Sequence, residues 1–551
     1  MANHVADQQR SNYRSNCAES AADTGDYRRT IAASFAALAM LLLLSPALAV
    51  LIGCASKGPM PTFAASSLPS MSESGETIAP ERWWTTFDDD GLDREVNLAL
   101  GDNFDLAVAL SRLRAAQAVT RIAASDWCWD VNGFSESSRT FGPGRDASQM
   151  TWGLDASYQV DLFGQIRSRV DAERFRTEAT RSDYQAVALS LSAEVARTWY
   201  SLIESYAQIK LLEEQVETNR EGLKAVELRY AEVGEGGPNV LRQQQLVQST
   251  MEQMVVVRAG IEVLEHQLAV LTGQPPQTAR YQPGDKLPEL PPMPFAGLPA
   301  DLLNRRPDVR AAYFALAAAD RDVAAAVSDQ YPRLNLGASI VNSAQNPETL
   351  FRDWFLSLGG QLIGPIIDGG QRRAEVARTQ AVVWQRFSEY RQTTLIALQE
   401  VEDALALERR QIERIELLEA QLESAELASQ QLLQYFITGN TSYLDVLSAA
   451  QSRQSLQRSL LSARLDLIQI RIGLYLALAG TFDTRPIENN GLLLDAPRLT
   501  SENEFDDSDA GELLPPPAGM PVDASPAPTE LPSPAAGSGT VKPAKEFDLN
   551  E

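Results

Sequence analysis

Proline is missing from two stretches of this chain, residues 164–233 and 370–438, although the sequence holds 30 prolines in all. Without a residue that removes a backbone donor and crowds the preceding turn, each stretch can run as one helix. At ~1.5 Å per residue, each would reach roughly 100 Å. Histidine and cysteine are scarce as well: His4 and His266, and Cys17, Cys54 and Cys128, in 551 residues. Their scatter suits neither a metal cage nor a disulfide framework. No glycine-rich phosphate loop and no Ser/His/Asp arrangement is apparent. No cofactor, metal site or catalytic centre is therefore expected, and energy for any transport must come from a partner. Positive charge is short too. A net charge of −25 excludes a general phosphate-binding surface and makes nucleic acid an unsuitable partner.

The two ends depart from the rest. Arg28 and Arg29 precede an apolar run, residues 31–52, broken only mildly by Ser34, Ser45 and Pro46. Such a run reads as an export signal. It ends in Leu51-Ile52-Gly53-Cys54, which resembles the lipobox of bacterial lipoproteins, where a small residue admits the peptidase and the cysteine thiol carries lipid. Two other readings fit the same residues: a retained membrane helix, for which the run is long enough, or cleavage after Ala49. Ser56, two places after Cys54, resembles lipoproteins sent to the outer membrane. Residues 1–53 are thus expected to be a signal sequence with a long N-terminal extension, and 54–90 a lipidated linker. Residues 481–551 form an acidic, proline-rich tail with few large apolar side chains, a composition expected to be disordered.

Between these ends the chain repeats one plan, as repeat 1 over 91–275 and repeat 2 over 308–480, joined by a connection at 276–307. Each repeat reads as a short amphipathic helix (103–125 and 308–328), two strand-like segments, a very long helix, a glycine-containing break and a second long helix. Ser125-Asp126 corresponds to Ser328-Asp329, Gly164-Gln165 to Gly370-Gln371, and Tyr230 and Gly234 to Tyr435 and Gly439. Gly273 and Gly480 close the two copies.

The strand-like segments have a period of two. Trp152, Leu154, Ala156, Tyr158 and Val160 alternate with polar or small residues, and so do Trp354, Leu356, Leu358 and Leu362. Leu334, Leu336, Ala338 and Ile340 form a third strip, and Trp127, Trp129 and Val131 a weaker fourth. Two-faced segments of about ten residues suit a transmembrane barrel, and equally a soluble hairpin with one face on a core. The aromatics near the segment ends lean toward the membrane. In the long helices, apolar residues recur at spacings of three and four, as in Trp199, Leu202, Tyr206 and Ile209. That is a coiled-coil seam, made of packing residues.

Several motifs in this order resemble the TolC outer-membrane-factor family, in its lipid-anchored, NodT- or OprM-like branch. They are Trp83-Trp84-Thr85-Thr86-Phe87, the run from Gly297 through Arg305-Arg306-Pro307-Asp308, Gly364-Pro365-Ile366-Ile367-Asp368-Gly369-Gly370, and Tyr443-Leu444-Asp445-Val446-Leu447. The resemblance implies a mainly α fold with a transmembrane β-barrel. Long helices would form an α-barrel tunnel, and four strands per protomer would join one barrel shared by a homotrimer. It further implies a lipid-anchored channel of a tripartite efflux or type I secretion-like system in the outer membrane, extending into the periplasm. Its partners would be a periplasmic adaptor, an inner-membrane pump such as an RND transporter, and outer-membrane lipid. A non-channel periplasmic coiled-coil scaffold would account for the helices and Cys54, but not for paired two-faced strands.

The resemblance also assigns roles. Asp445 would face the narrow periplasmic entrance and, by symmetry, form a ring of carboxylates; read on its residues alone, it complements the dipole of the helix it begins. Ser448, one turn on, stands where the family can carry a second acidic ring. Gly234, Gly439, Thr441 and Ser442 would belong to the adaptor-facing tip. The first tip lacks the Leu-Asp pair of the second and has Asn239 where the second has Asp445.

Overall fold

The computed structural model describes residues 58–62, 71–76, 80–142, 147–233, 236–284, 286–296, 304–346, 348, 351–478 and 480. The signal stretch, Cys54, Gly234 and the tail from 481 lie outside them. The described residues belong to one compact unit.

Trp83–Phe87 forms a single 3-10 turn, followed by α1 (Asp90–Asp102) and α2 (Phe104–Ser125). Asp89 starts α1 by accepting from the backbone amides of Gly91 and Leu92, a capping bond that satisfies amides the helix leaves free. The same carboxylate accepts from Trp199 Nε1 at 2.9 Å, so one side chain caps a helix and pins it to another. Trp83, Trp84 and Phe87 are buried. Trp83 stacks on Tyr475 with ring centroids 5.7 Å apart and donates to Ser192 Oγ at 3.1 Å. The stretch expected as a linker over 54–90 therefore ends in core, because aromatics this large gain more from burial than from water.

Four strands follow the helical lead: β1 (Asp130–Thr140), β2 (Ala147–Val160), β3 (Arg333–Ala344) and β4 (Trp354–Ile363). They form one sheet in the order β1-β2-β3-β4, with every neighbouring pair antiparallel. β1 begins later than the alternation suggests. The amides of Trp127 and Cys128 donate to the carbonyls of Ala124 and Ser125, which holds them in a turn off the end of α2. Trp129 sits just outside the strand and stacks on Tyr158 at 5.2 Å. Residues paired across antiparallel strands share a face. The register puts Val131, Ala156, Ala338 and Leu358 in one row and Leu154, Ile340 and Leu356 in the next. This face is mainly apolar, with Ser135 and Asn342 in the following row and Ser137 and Arg139 further along β1. The other carries Asn132, Asp155, Ser339 and Ser357 in a row. β1 and β4 are the free edges, and both are exposed along their whole length.

The long helices form as expected. α3 (Gln165–Val233) has 69 residues and α4 (Gly237–Leu271) returns from it. After α5 (Pro307–Ser328), α6 (Gln371–Ile437) has 67 residues and α7 (Tyr443–Leu478) returns. Both long helices start by the same device. Asp161 accepts from the amides of Ile166 and Arg167, and Asp368 from those of Gly370 and Arg372. The returning helix α4 ends at Gly273, which has φ 72°. A Cβ there would lie 2.4 Å from the Asp102 carbonyl oxygen, so glycine is required by both conformation and space.

The main core gathers Trp83, Trp199, Tyr200, Leu202, Leu268 and Tyr475 where α3, α4 and α7 meet the amino-terminal turn. A second cluster joins Val309 of α5 to Val401 and Leu405 of α6 and Leu474 of α7. Between them lies an ion pair, Arg471–Glu408, with side chains only 3% and 1% exposed. Arg471 Nε donates to Glu408 Oε2 at 2.9 Å. Nη2 also donates to Glu408, and Nη1 reaches the carbonyls of Pro291 and Pro292, so the inter-repeat connection is tied down by a charge that would otherwise be costly to bury.

Candidate functional site

Of the residues singled out in the sequence, Gly439, Thr441, Ser442, Asp445 and Ser448 lie where the second helical hairpin turns and begins its return. α6 ends in a Schellman arrangement: Gly439 N–H donates to the Phe436 carbonyl at 3.1 Å and Asn440 N–H to the Tyr435 carbonyl at 2.8 Å. Gly439, with φ 79°, supplies the left-handed residue this ending needs. Ser442 then begins α7 in a capping box with Asp445. Ser442 N–H donates to Asp445 Oδ2 at 3.2 Å, and the Asp445 amide points back at Ser442 Oγ at 3.4 Å. Asp445 Oδ2 also accepts from the hydroxyls of Thr441 at 2.8 Å and Ser442 at 2.7 Å. These donors, Ser442 first, hold the exposed Asp445 carboxyl below its ordinary value of 3.8. The carboxylate therefore stays ionised at neutral pH. Ser448 is exposed on α7, three residues on.

The first tip is built differently. Of Gly234 nothing is described; its neighbour Gly236 carries the positive φ of 105° and precedes α4 with no side-chain cap. Asn239 N–H donates to the Gly236 carbonyl at 2.8 Å, a local turn in place of a capping box.

The structure adds residues that the sequence reading missed. Tyr443 OH donates to Gln243 Oε1 at 2.7 Å. Burial pushes the Tyr443 hydroxyl up to about 12, so it remains protonated and acts as the donor. Arg229 lies 4.4 Å from the centre of the Phe436 ring and donates to the Phe436 carbonyl at 3.3 Å. Val226, Leu246, Tyr443 and Leu447 pack into a small apolar cluster beside them. The two tips are thereby held as one body. Further along, a buried polar layer stitches α3, α4 and α7: Asn219 Nδ2 donates to Thr250 Oγ1 at 3.1 Å, Gln454 Nε2 to Asn219 Oδ1 at 2.8 Å, and Gln243 Nε2 to the Asn219 carbonyl at 2.7 Å. The readable signal was the break that Asn219 and Gln454 make in otherwise apolar helical stripes.

This geometry can hold two hairpins side by side and present fixed negative charge at their end. Neither a reacting group nor a nucleophile–base pair stands near it among the described residues. A family model described as outer membrane efflux protein matches residues 96–274 and 298–480, ranges that overlap the two repeats read from the sequence. The chain belongs to the outer membrane efflux protein family. The pyoverdine export outer membrane protein OpmQ of Pseudomonas aeruginosa is 29% identical over 457 residues, covering 78% of this chain and 95% of that protein. Nodulation protein T of Rhizobium leguminosarum is 29% identical over 430 residues, covering 74% and 86%. The solved structure of the outer-membrane channel OprN superposes with a TM-score of 0.71 at 27% identity, covering 77% of this chain and 99% of that one. The chain is accordingly an outer-membrane efflux channel that extends into the periplasm, in a family of transport proteins and not of enzymes. The mainly α fold with a barrel-forming sheet, and the likeness to the NodT- and OprM-like branch, stand as expected.

Proposed function

We propose that this chain works as a homotrimeric, lipid-anchored duct that passively conducts solutes delivered by a periplasmic adaptor and an inner-membrane pump, with no catalysis of its own. The observation that carries the oligomer is the sheet: four strands, one face mainly apolar, both edges free. In lipid every backbone polar group must be paired, so an open sheet cannot span a bilayer. Closure takes at least about eight strands, hence more than one chain. β1 and β4 run in opposite directions, because three antiparallel steps separate them. The β4 edge of one copy can therefore continue the antiparallel ladder onto β1 of the next. Resemblance to the family sets the number at three.

Within this assembly Cys54 carries the lipid, the stretch before it is the cleaved signal, and residues 54 to the first core aromatics act as tether. Asp445 lines the periplasmic gate as a ring of three carboxylates, which attracts cations, with Ser448 as an uncharged second position. Gly234, Gly439, Thr441 and Ser442 form the adaptor-facing tip. The capping box supports the gate reading in one respect: it keeps each carboxylate ionised. It also supplies the blander role, since one oxygen of Asp445 is already committed to the helix end. Single-channel recording separates the two. Multivalent cations on the periplasmic side should block the wild type, and Asp445→Asn should relieve that block and reduce cation preference. Native mass measurement of a membrane-extracted monomer would overturn the duct itself.

A further inference from the structure

One row of the polar face carries bulky apolar side chains across the width of the sheet, and Ile363, beside Arg333, is a further apolar residue on that face. Phe134 pairs with Gly153, Gly153 with Val341, and Val341 with Phe355, so a single row crosses all four strands on the face that also carries Asp155 and Gln361. The row to one side reads Asn132, Asp155, Ser339 and Ser357, and the row to the other begins Glu136, Thr151 and Ser343. Alternation places all of these on the water side of the barrel, since the opposite face is mainly apolar and suits lipid. Phe134 and Phe355 are 38% and 67% exposed. Gly153 offers no side chain to the Phe134 ring beside it. Two aromatic rings and a valine in one row have no core to fill there, and the residues flanking them along the strands include two carboxylates and no cation.

We propose that Phe134, Val341 and Phe355 form a contact strip for apolar cations passing through the barrel, with Glu136 and Asp155 as the countercharge. The inference rests on the duct reading above and adds a solute-binding site to it. Ring faces attract cations through their quadrupole, acidic side chains in a pore favour cations over anions, and the valine adds apolar contact area. A solute that is both apolar and positive meets all three in one row. An anion of the same shape meets the rings but is repelled by the carboxylates. Strands in a barrel are tilted, so each copy contributes an inclined strip along which a solute could pass from Phe134 to Phe355.

The test uses the full chain in planar bilayers, with tetraphenylphosphonium as the apolar cation, tetraphenylborate as its anionic counterpart and tetraethylammonium as a cation without rings. Current interruptions by tetraphenylphosphonium should outlast those by both controls. The paired substitution Phe134→Leu and Phe355→Leu, which keeps apolar volume and removes the rings, should shorten them roughly tenfold. Glu136→Gln with Asp155→Asn should narrow the gap between the phosphonium and the borate. Unchanged interruptions in a leucine variant of normal conductance would overturn the strip and leave the duct standing. Equal interruptions by the three probes in the wild type would overturn it without any variant. Absence of a wild-type pore would overturn the duct reading, and the strip with it.

Discussion

α3 and α6 are equivalent helices of nearly equal length, 69 and 67 residues, yet they are used differently. α3 buries Trp199, Tyr200, Leu202 and Leu212, and its large exposed apolar residues are Val187, Leu228 and Tyr230. α6 leaves Trp384, Leu395, Leu407, Leu417 and Leu427 exposed, at intervals of eleven, twelve, ten and ten residues. At about 100° per residue, Trp384, Leu395, Leu417 and Leu427 fall within about 80° of one another around the helix, while Leu407 lies off that face. The difference comes from the segment that leads into the first repeat. The turn at Trp83–Phe87 and α1 cover α3, and among the described residues no second copy of that segment covers α6. A duplicated plan thus yields one helix satisfied within the chain and one whose apolar face awaits a neighbour, which is the kind of surface an oligomer buries.

The largest expected effects break the satisfied side. Trp83→Ala should cost about 3–5 kcal/mol by emptying a buried aromatic site. Arg471→Ala should cost a similar amount, about 3–5 kcal/mol, by stranding Glu408 as an uncompensated buried charge. Both should lower the thermal midpoint of the detergent-solubilised protein. Trp384→Ser on α6 should behave in the opposite way, leaving the fold within about 0.5 kcal/mol while weakening assembly. A native gel or native mass spectrum in which Trp384→Ser assembles normally would remove α6 as the neighbour-facing side.

Two glycines with the same backbone sign sharpen the comparison at a smaller scale. Gly164 and Gly273 both have φ 72°. A Cβ at Gly164 meets nothing within 4 Å, whereas at Gly273 it meets the Asp102 carbonyl oxygen at 2.4 Å. Gly164→Ala should cost about 1 kcal/mol through the left-handed conformation alone. Gly273→Ala should cost about 3 kcal/mol, because backbone must also move. Denaturant midpoints of the two variants distinguish these values.

Much of this was legible before the structure. The proline-free stretches marked α3 and α6 to within a residue or two, since helix propagation needs only the absence of breakers and a sustained apolar stripe. Alternation located β2, β3 and β4, but Trp127 and Trp129 misled at β1, because helix-end hydrogen bonds to the carbonyls of Ala124 and Ser125 outrank local pattern. The α1 helix and the burial of Trp83 and Trp84 were not read as structure, although the motif was noticed. Their place depends on Asp89, Ser192 and Tyr475, which are far apart in sequence. At the tip, Gly439, Ser442 and Asp445 were readable because turn and cap chemistry is local. The Tyr443–Gln243 contact joins residues 200 positions apart, and no local rule points to it.

The smallest expected effect concerns the two tips, where the comparison between repeats is at its finest. α7 begins with a Ser442–Asp445 capping box, and α4 begins at Gly236 with no side-chain cap. The Asp445 carboxyl is held below 3.8 by its hydrogen bonds to Ser442 and Thr441. A folded value below the unfolded one means that the box contributes stability above the ordinary carboxylate range and loses it as pH falls through the lowered value. Acidification from pH 5 to below 3 should therefore loosen the first turn of α7 and leave the start of α4 unaffected by this mechanism. Asp445→Asn should loosen that turn at neutral pH, with little change in the global midpoint because the site is exposed and local. Hydrogen exchange, corrected for the intrinsic pH dependence of the amides, reads both tips in one experiment. Equal loosening of the α4 and α7 starts on acidification would mean that the carboxylate does not hold the second tip, and that the asymmetry between the tips lies in their turns alone.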